Sequence, residues 1–198
     1  LATHVAATNE SLGLRLNFHD LVDFHRDVFL RSVQIVNLAD RPRNIRLFFH
    51  YDFLFWGVGT GDSIHFHPDS RFLIAYKDNC YFLINASVVN GHGVSSWTTG
   101  RKDDHGRGGS WLDAEDGVLD ENANSFGSID GVIAVDAPLV RPGESTTCYT
   151  WLAAAQDLQG VRFLDSIIKR QGADYFITRT MNYWRAWVNK EDVDFGDL

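Results

Sequence analysis

Several residue types that mark particular classes of protein are scarce in this sequence. Its 198 residues contain two cysteines, Cys80 and Cys148, which are too few for a disulfide framework and do not have the spacing of a zinc site. Prolines number four, and no apolar run approaches the roughly 20 residues needed to cross a bilayer. We therefore interpret the cysteines as reduced, buried side chains, with a single disulfide as the alternative for an exported protein. The sequence predicts no membrane-spanning helix.

Positive charge is also in short supply. Lysine and arginine together number 18, against 26 aspartates and glutamates, which gives a formal net charge of −8. Nucleic acids and anionic membranes need a basic protein surface, because binding neutralises their phosphates. We expect neither as a partner.

Cofactor motifs are missing too. The run Gly57-Val58-Gly59-Thr60-Gly61-Asp62 looks at first like a phosphate loop, but no lysine follows it and the next residues alternate as in a strand. Its glycines are more typical of a bulge or a tight turn. We predict no cofactor.

The sequence is rich in hydrophobic residues, at 44%, and in aromatic residues, at 13%, which is enough to bury one main core. From residue 12 to about residue 154, apolar and polar side chains alternate, as is typical of strands with one buried face. Turn residues separate these runs and are expected to join antiparallel strands at Asn37–Asn44, Lys77–Cys80 and Pro138–Glu144. The pattern predicts two packed antiparallel sheets.

After Ala155 the period becomes helical. Asp157 suits an N-cap, Gly172 ends the first helix, and a second helix begins near Asp174. One side of the second helix is unusually aromatic and should lie against the sandwich or a following domain; its residues are Phe176, Tyr183, Trp184 and Trp187. We divide the chain into a β-domain, residues 1–155, and a helical linker, residues 156–198. Both ends look like cuts in a longer polypeptide.

Residues 88–128 show no sustained period, and long excursions of this kind are usually functional or interfacial. Within them, Trp111-Leu-Asp-Ala-Glu-Asp-Gly117 sets three carboxylates beside an indole, as sugar-cleaving sites often do. Glycoside hydrolysis needs two carboxyls that face each other roughly 5 to 9.5 Å apart, and neighbours in sequence rarely achieve that. We favour a structural role, in which one of Asp113, Glu115 and Asp116 caps a turn and the others pair with Arg101, Lys102 or Arg107.

Two tryptophans, Trp97 and Trp111, lie in the same polar excursion, where no local pattern buries them. An indole face can stack on a sugar ring, so both are candidates for contact with carbohydrate. The alternative, which we favour, is that they hold the loop onto the sheet or onto a partner domain.

The run His65-Phe66-His67 would place two imidazoles on one face of a strand, where they could bind one metal ion. His50 and Asp52 form a similar pair and could complete such a site. Pro68 ends the strand at once, however, and no acidic ligand follows at the usual short distance. His65 and His67 are therefore weak candidates, and we predict no metal site.

Six separated segments stand out together: Ile45–Asp52, Gly57–Asp62, Thr99–Lys102, Trp111–Gly117, Gly127–Asp130 and Tyr183–Trp187. In this order they resemble the N-terminal domain of bacterial and archaeal glycoside hydrolases of family 15, which include glucoamylase-like, glucodextranase-like and trehalase enzymes. The resemblance spans nearly the whole chain. It implies an antiparallel β-supersandwich of the galactose mutarotase-like kind, followed by a helical linker into an (α/α)6 barrel.

In that family the general acid and base are glutamates of the barrel, so the resemblance carries no catalytic residue over to this chain. It implies a noncatalytic domain whose partner is the barrel of the same polypeptide. The first strands of the family's domain have no counterpart here. Two alternatives stay open: a module that binds an α-glucan or a glucose-containing oligosaccharide, and a mutarotase-like enzyme that uses a histidine and a carboxylate as acid and base.

Overall fold

Strands dominate the molecule, as the alternating pattern predicts. The computed structural model describes residues 3–102 and 108–188. Within them the strands are β1 (Val5–Asn9), β2 (Leu14–Val22), β3 (Val28–Asn37), β4 (Arg43–Asp52), β5 (Asp62–His67), β6 (Phe72–Lys77), β7 (Cys80–Val88), β8 (Ser96–Arg101), β9 (Asn124–Gly127), β10 (Ile129–Val140) and β11 (Ser145–Ala155). Two helices follow, α1 (Leu158–Gln171) and α2 (Ala173–Val188), and short 3-10 helices lie at Phe55–Gly57 and Ser110–Ala114.

Antiparallel pairing arranges these strands in two sheets. The larger sheet has the order β1-β2-β3-β11-β7-β6-β5-β9, and the smaller has the order β4-β10-β8. The predicted fold class, a mainly antiparallel β-sandwich with a C-terminal helical segment, is confirmed.

The two sheets face each other across an apolar core. Ile133 and Val135 of β10 point into it from the smaller sheet, and Ile64 and Leu73 point into it from the larger sheet. Gly131 faces the same core, and a Cβ there would lie 2.8 Å from Ile64 Cδ1 and 2.9 Å from Leu73 Cδ2. Glycine at this position therefore lets β10 approach the opposite sheet closely.

The helices cover the other face of the larger sheet. Asp157 caps α1 by accepting the N–H of Gly160 at 2.7 Å, and Gly172 ends the helix with a φ of 86°, as predicted. Trp151 of β11 and Phe176 of α2 are wholly buried in the layer between sheet and helices. In the described part of the chain, no helix combines the length and the apolar character needed to span a membrane.

The reversal expected at Pro142-Gly143 is present, since the N–H of Glu144 donates to the carbonyl oxygen of Arg141 at 3.0 Å. Residues 37–44 and 138–144 do not join strands of one sheet, however, because β3 and β11 belong to the larger sheet and β4 and β10 to the smaller one. Both connections carry the chain between the sheets. The buried Asn37 side chain holds them together, since its Nδ2 donates to the carbonyl oxygens of Arg41 at 2.8 Å and Val140 at 2.9 Å. The hairpin at Lys77–Cys80 forms as predicted.

The excursion is shorter than expected, because β8 and β9 are strands within it. Residues 108–123, which precede β9, are not strand. They lie over the outer face of the smaller sheet. We call these residues the covering segment. The division of the chain at residue 155 stays a prediction. Two predicted parts lie outside the described residues: Arg107, and residues 189–198 at the end of the proposed linker.

Candidate functional site

Asp130 of β10 ties the covering segment to the smaller sheet. Its buried carboxylate accepts the backbone N–H of Ser110 at 2.6 Å and lies 3.0 Å from His50 Nε2. An imidazole N–H and a carboxylate oxygen at this distance form a hydrogen bond, which joins β4 to β10. A Cβ on Gly109 would lie 2.2 Å from the same carboxylate oxygen, and only glycine therefore fits beside Asp130.

Arg46 of β4 makes a second attachment. Its guanidinium donates to both carboxylate oxygens of Asp136, at 2.5 and 3.1 Å, and to the carbonyl oxygen of Gly117 at 3.0 Å. The hydrogen bond from Arg46 lowers the pKa of Asp136, and the same bond raises the pKa of Arg46. The charge-assisted, two-point contact thus joins β4 to β10, and a single hydrogen bond from the same guanidinium holds the covering segment at Gly117.

Apolar burial and an amide complete the attachment. Leu119 is buried against Val132 and Ala134 on the outer face of β10. The side-chain Nδ2 of Asn122 donates to the backbone carbonyl oxygen of Thr99 at 2.7 Å. The backbone carbonyl oxygen of Asn122 accepts the N–H of Thr99 at 2.9 Å. The covering segment is therefore a fixed surface, able to present side chains in defined positions.

The three carboxylates of the segment do not act alike. Asp113 accepts the N–H of Asp120 at 2.8 Å, and Asp116 accepts the N–H of Val118 at 2.9 Å. Glu115 is exposed. Two of the three carboxylates therefore hold the backbone of their own segment, which is a structural use of these groups.

The two tryptophans of the excursion have different surroundings. Trp97 on β8 packs against the core between the sheets, where its ring stacks on Phe66 with centroids 3.7 Å apart and the Arg71 guanidinium lies 5.4 Å from its centroid. Trp111 belongs to the covering segment and is 47% exposed. Of the two, Trp111 is the indole that the surface presents.

The basic candidates Arg101 and Lys102 lie at the end of β8. Lys102 contacts the carboxylate of Asp52 and donates to the carbonyl oxygen of Phe53 at 2.5 Å. Arg101 lies beside Gly127, where an added Cβ would be 3.4 Å from its Nε. Lys102 thus pairs with β4, whereas the sequence suggested the carboxylates of the covering segment.

The histidines do not converge. His65 and His67 project from the helix-facing side of β5, where His65 meets Tyr76 edge-on and His67 stacks on Phe72. Burial lowers the pKa of His65, and the nearby His67 lowers it further. His50 lies on the opposite side of the sandwich. Among residues 3–102 and 108–188, no three side chains suited to metal binding come together.

The aromatic side of α2 divides into two parts. Phe176 is wholly buried against the larger sheet, and Tyr183 stacks on Phe24 with centroids 4.1 Å apart. Trp184 is half-buried, and Trp187 is 61% exposed. Phe176 and Tyr183 therefore contact the sandwich, and Trp187, in the last turn of the helix, is exposed on the surface.

Sequence patterns did not reveal two features. The His50–Asp130 pair joins residues 80 positions apart, and only the family resemblance of Gly127–Asp130 drew attention to that strand. Trp56 has a φ of 57°, in the left-handed region that favours glycine, and it is 65% exposed. The glycines that follow it indicated a turn, but nothing in the sequence indicated that the tryptophan would take this conformation.

Solved structures include one with a closely comparable arrangement. A bacterial glucoamylase complexed with acarbose matches with a TM-score of 0.71 and 14% sequence identity. The match covers 96% of this chain and 27% of that chain. What the two proteins share is a fold. This chain spans about a quarter of that glucoamylase.

More distant matches include a polysaccharide lyase, with a TM-score of 0.47 and 13% identity over 81% of this chain and 22% of that chain. A protein described as a kojibiose phosphorylase from the human microbiome matches with a TM-score of 0.46 and 11% identity over 87% of this chain and 21% of that chain. No argument rests on these two. A scan against models of protein families gives no match, and neither does a search of curated proteins.

Proposed function

We propose that this chain is the noncatalytic N-terminal β-domain of a glycoside hydrolase of family 15, and that it packs on and stabilises an (α/α)6 catalytic barrel. The observation that carries the proposal is the match to the glucoamylase, which takes in 96% of this chain and only 27% of that chain. Most of that enzyme lies outside the shared fold. The ordered family motifs of the sequence support the same assignment.

The carboxylates of the covering segment support a noncatalytic role. A general acid or base needs a carboxyl group that is free to reach the glycosidic oxygen or a water molecule. Asp113 and Asp116 instead accept backbone N–H groups within 2.8 to 2.9 Å, and Asp130 is buried beneath Ser110. These groups stabilise the segment.

The proposed contact surface for the barrel has two parts. Trp111 is exposed on a segment that is attached at Asp130, at Arg46 and through Leu119. Trp187 is exposed on the second half of α2. Exposed aromatic side chains on a fixed frame are typical of the anchors of protein interfaces.

The purified chain should be assayed against maltooligosaccharides, dextran oligosaccharides and trehalose. We expect no release of glucose, because the acid and base of the reaction belong to the barrel. Turnover that follows the protein through further purification, and that disappears when Asp113 and Glu115 are both replaced by their amides, would place the chemistry in this chain and end the proposal.

A second candidate function, carbohydrate binding, is favoured by one observation, the 47% exposure of Trp111 on a segment that also exposes Glu115. Calorimetry with maltooligosaccharides tests it. Heat of binding that is lost in Trp111→Ala and kept in the matched control Trp187→Ala would make the chain a binding module. Absence of heat in the wild type favours the scaffold.

A further inference from the structure

The loop between β4 and β5 exposes three apolar side chains within five residues. Leu54 is 56% exposed, Trp56 is 65% exposed and Val58 is 52% exposed. Single apolar residues are common on protein surfaces, whereas a contiguous exposed apolar group is a feature of contact sites. None of these three residues belongs to the covering segment or to α2.

The loop is fixed by contacts on its buried side. Lys77 Nζ donates to the carbonyl oxygens of Val58 at 3.2 Å and Thr60 at 2.6 Å, and it forms an ion pair of 3.0 Å with the buried Asp62. Phe55 is buried in the core between the sheets. Because the loop is fixed at both ends and at its centre, the exposed side chains keep defined positions.

The backbone of the loop is strained where the largest side chain is exposed. Trp56 has a φ of 57° and a ψ of 20°, a conformation that is unfavourable for any residue with a Cβ. The next residue is glycine, with a φ of 72°, so the turn already contains a residue suited to this region. Strained backbone that is retained on a surface is a sign of function.

The exposed side chains of the loop suit contact with the surface of another protein domain. Its three exposed side chains carry a single polar group, the indole N–H, and so offer little to sugar hydroxyls or phosphates. Beside them lies a recess of about 220 Å³ lined by Phe53, Leu54, Phe55, Trp56, Cys80 and Phe82. Such a recess suits an apolar side chain from a partner, with Trp56 packing over it.

The exposed apolar area of the loop indicates whether the partner is a separate protein or a domain of the same polypeptide. Three partly exposed side chains and the recess offer roughly 300 to 400 Å² for burial, whereas a stable complex of separate proteins buries about 800 Å² on each partner. A second copy of the chain would not be held by this loop. A domain in the same polypeptide needs less area, because the covalent link keeps its local concentration near the millimolar range.

We propose that Leu54, Trp56 and Val58, with the recess beside them, bind the catalytic barrel of the same polypeptide. The barrel inserts an apolar side chain into the recess. The inference rests on the proposed function. It adds a third contact surface, at the β4–β5 end of the sandwich, to those on the covering segment and α2.

Hydroxyl-radical footprinting read by mass spectrometry tests the proposal. The rate of oxidation of Trp56 is compared between the 198-residue chain and the longer polypeptide of the same reading frame. We expect Trp56 to react about fivefold more slowly in the longer polypeptide, because the core of an interface excludes solvent. Trp151, which is wholly buried, provides the lower limit for the reaction rate.

A matched pair of variants of the longer polypeptide gives a second readout. Trp56→Asn should restore rapid oxidation at Leu54 and Val58, whereas Leu139→Asn, at another exposed apolar position, should not. Equal effects of the two substitutions would overturn the proposal.

Three further outcomes of the footprinting would also overturn it. These are equal oxidation of Trp56 in both polypeptides, protection that grows with concentration of the 198-residue chain alone, and protection caused by added maltooligosaccharide. Hydrolysis is measured on the same samples. A longer polypeptide that cleaves glucosides but leaves Trp56 exposed removes this inference and keeps the proposed function; one with no hydrolytic activity removes the proposed function itself.

Discussion

Arg179 of α2 and Asp23, in the turn between β2 and β3, form a buried ion pair that attaches the second helix to the sandwich. Arg179 Nη2 lies 2.6 and 2.7 Å from the two carboxylate oxygens, and Nε lies 3.1 Å from one of them. Thr180 donates its hydroxyl to the same carboxylate at 3.1 Å. Asp23 also accepts the backbone N–H groups of His25 and Arg26, so one carboxylate organises both the turn and the helix contact.

Removing the Asp23 carboxylate should lower the stability of the folded chain. We expect Asp23→Ala to lower the free energy of unfolding by about 3 kcal/mol, since it leaves a mostly buried guanidinium without its partner. Urea unfolding followed by far-ultraviolet circular dichroism measures the effect. The control is Glu144→Ala, which breaks the exposed pair with Arg141 and should cost less than about 0.5 kcal/mol. Equal costs would show that the buried pair does not hold α2.

Gly109 should resist substitution for a steric reason. An added Cβ would lie 2.2 Å from the Asp130 carboxylate, so Gly109→Ala must displace the segment and break the Ser110 hydrogen bond, at a cost of about 2 kcal/mol. Gly117→Ala is the matched control in the same segment, because its Cβ meets no atom and only its φ of 86° is unfavourable, at about 1 kcal/mol. Hydrogen exchange at the Ser110 amide should rise in the first variant only.

The pKa of His65 gives a pH dependence of known sign. Burial lowers this pKa below its ordinary value of 6.5 in the folded chain, so the unfolded chain takes up the proton first as the pH falls. The stability linked to His65 is fully present above about pH 6.5 and is lost as the pH falls from there through the folded pKa. We expect His65→Gln to reduce the loss of stability between about pH 7.5 and about pH 5.5 in urea unfolding. A loss of stability that is the same in the wild type and in His65→Gln would contradict this assignment to His65.

Strain at Trp56 should be measurable in the chain itself. Asparagine tolerates the left-handed region better than alanine does, so Trp56→Asn should be more stable than Trp56→Ala by roughly 0.5 to 1 kcal/mol, as judged by thermal unfolding. Both substitutions remove the same exposed indole. If the alanine variant is the more stable of the two, position 56 is not strained.

Local features of this fold were predictable from the sequence, because short-range chemistry determines them. Asp157 and Gly172 bound α1 as their capping preferences require, and the polar connector after Lys77 closes the predicted hairpin. The partners of the strands were not predictable in the same way. An alternating pattern shows that a strand has one buried face but does not say to which sheet it belongs. Asn37 acts on a carbonyl group 103 residues away, at Val140.

The same limit applies to the candidate site. The crowding of carboxylates after Trp111 was visible in the sequence, and geometry argued against a catalytic pair. The actual use of Asp113 depends on the path of the chain seven residues later, at Asp120. The burial of Asp130 depends on the close approach of Gly109 and Ser110 from another part of the chain. Residues that act through long-range contacts of this kind carry no local signal.

The decisive measurement for the proposed noncatalytic role is the release of glucose from maltooligosaccharides, dextran oligosaccharides and trehalose. It compares the 198-residue chain with the longer polypeptide of the same reading frame at equal concentration. We expect the longer polypeptide to hydrolyse at least one of these substrates and the 198-residue chain to hydrolyse none. Hydrolysis by the 198-residue chain alone, at a rate equal to that of the longer polypeptide, would contradict the proposed role.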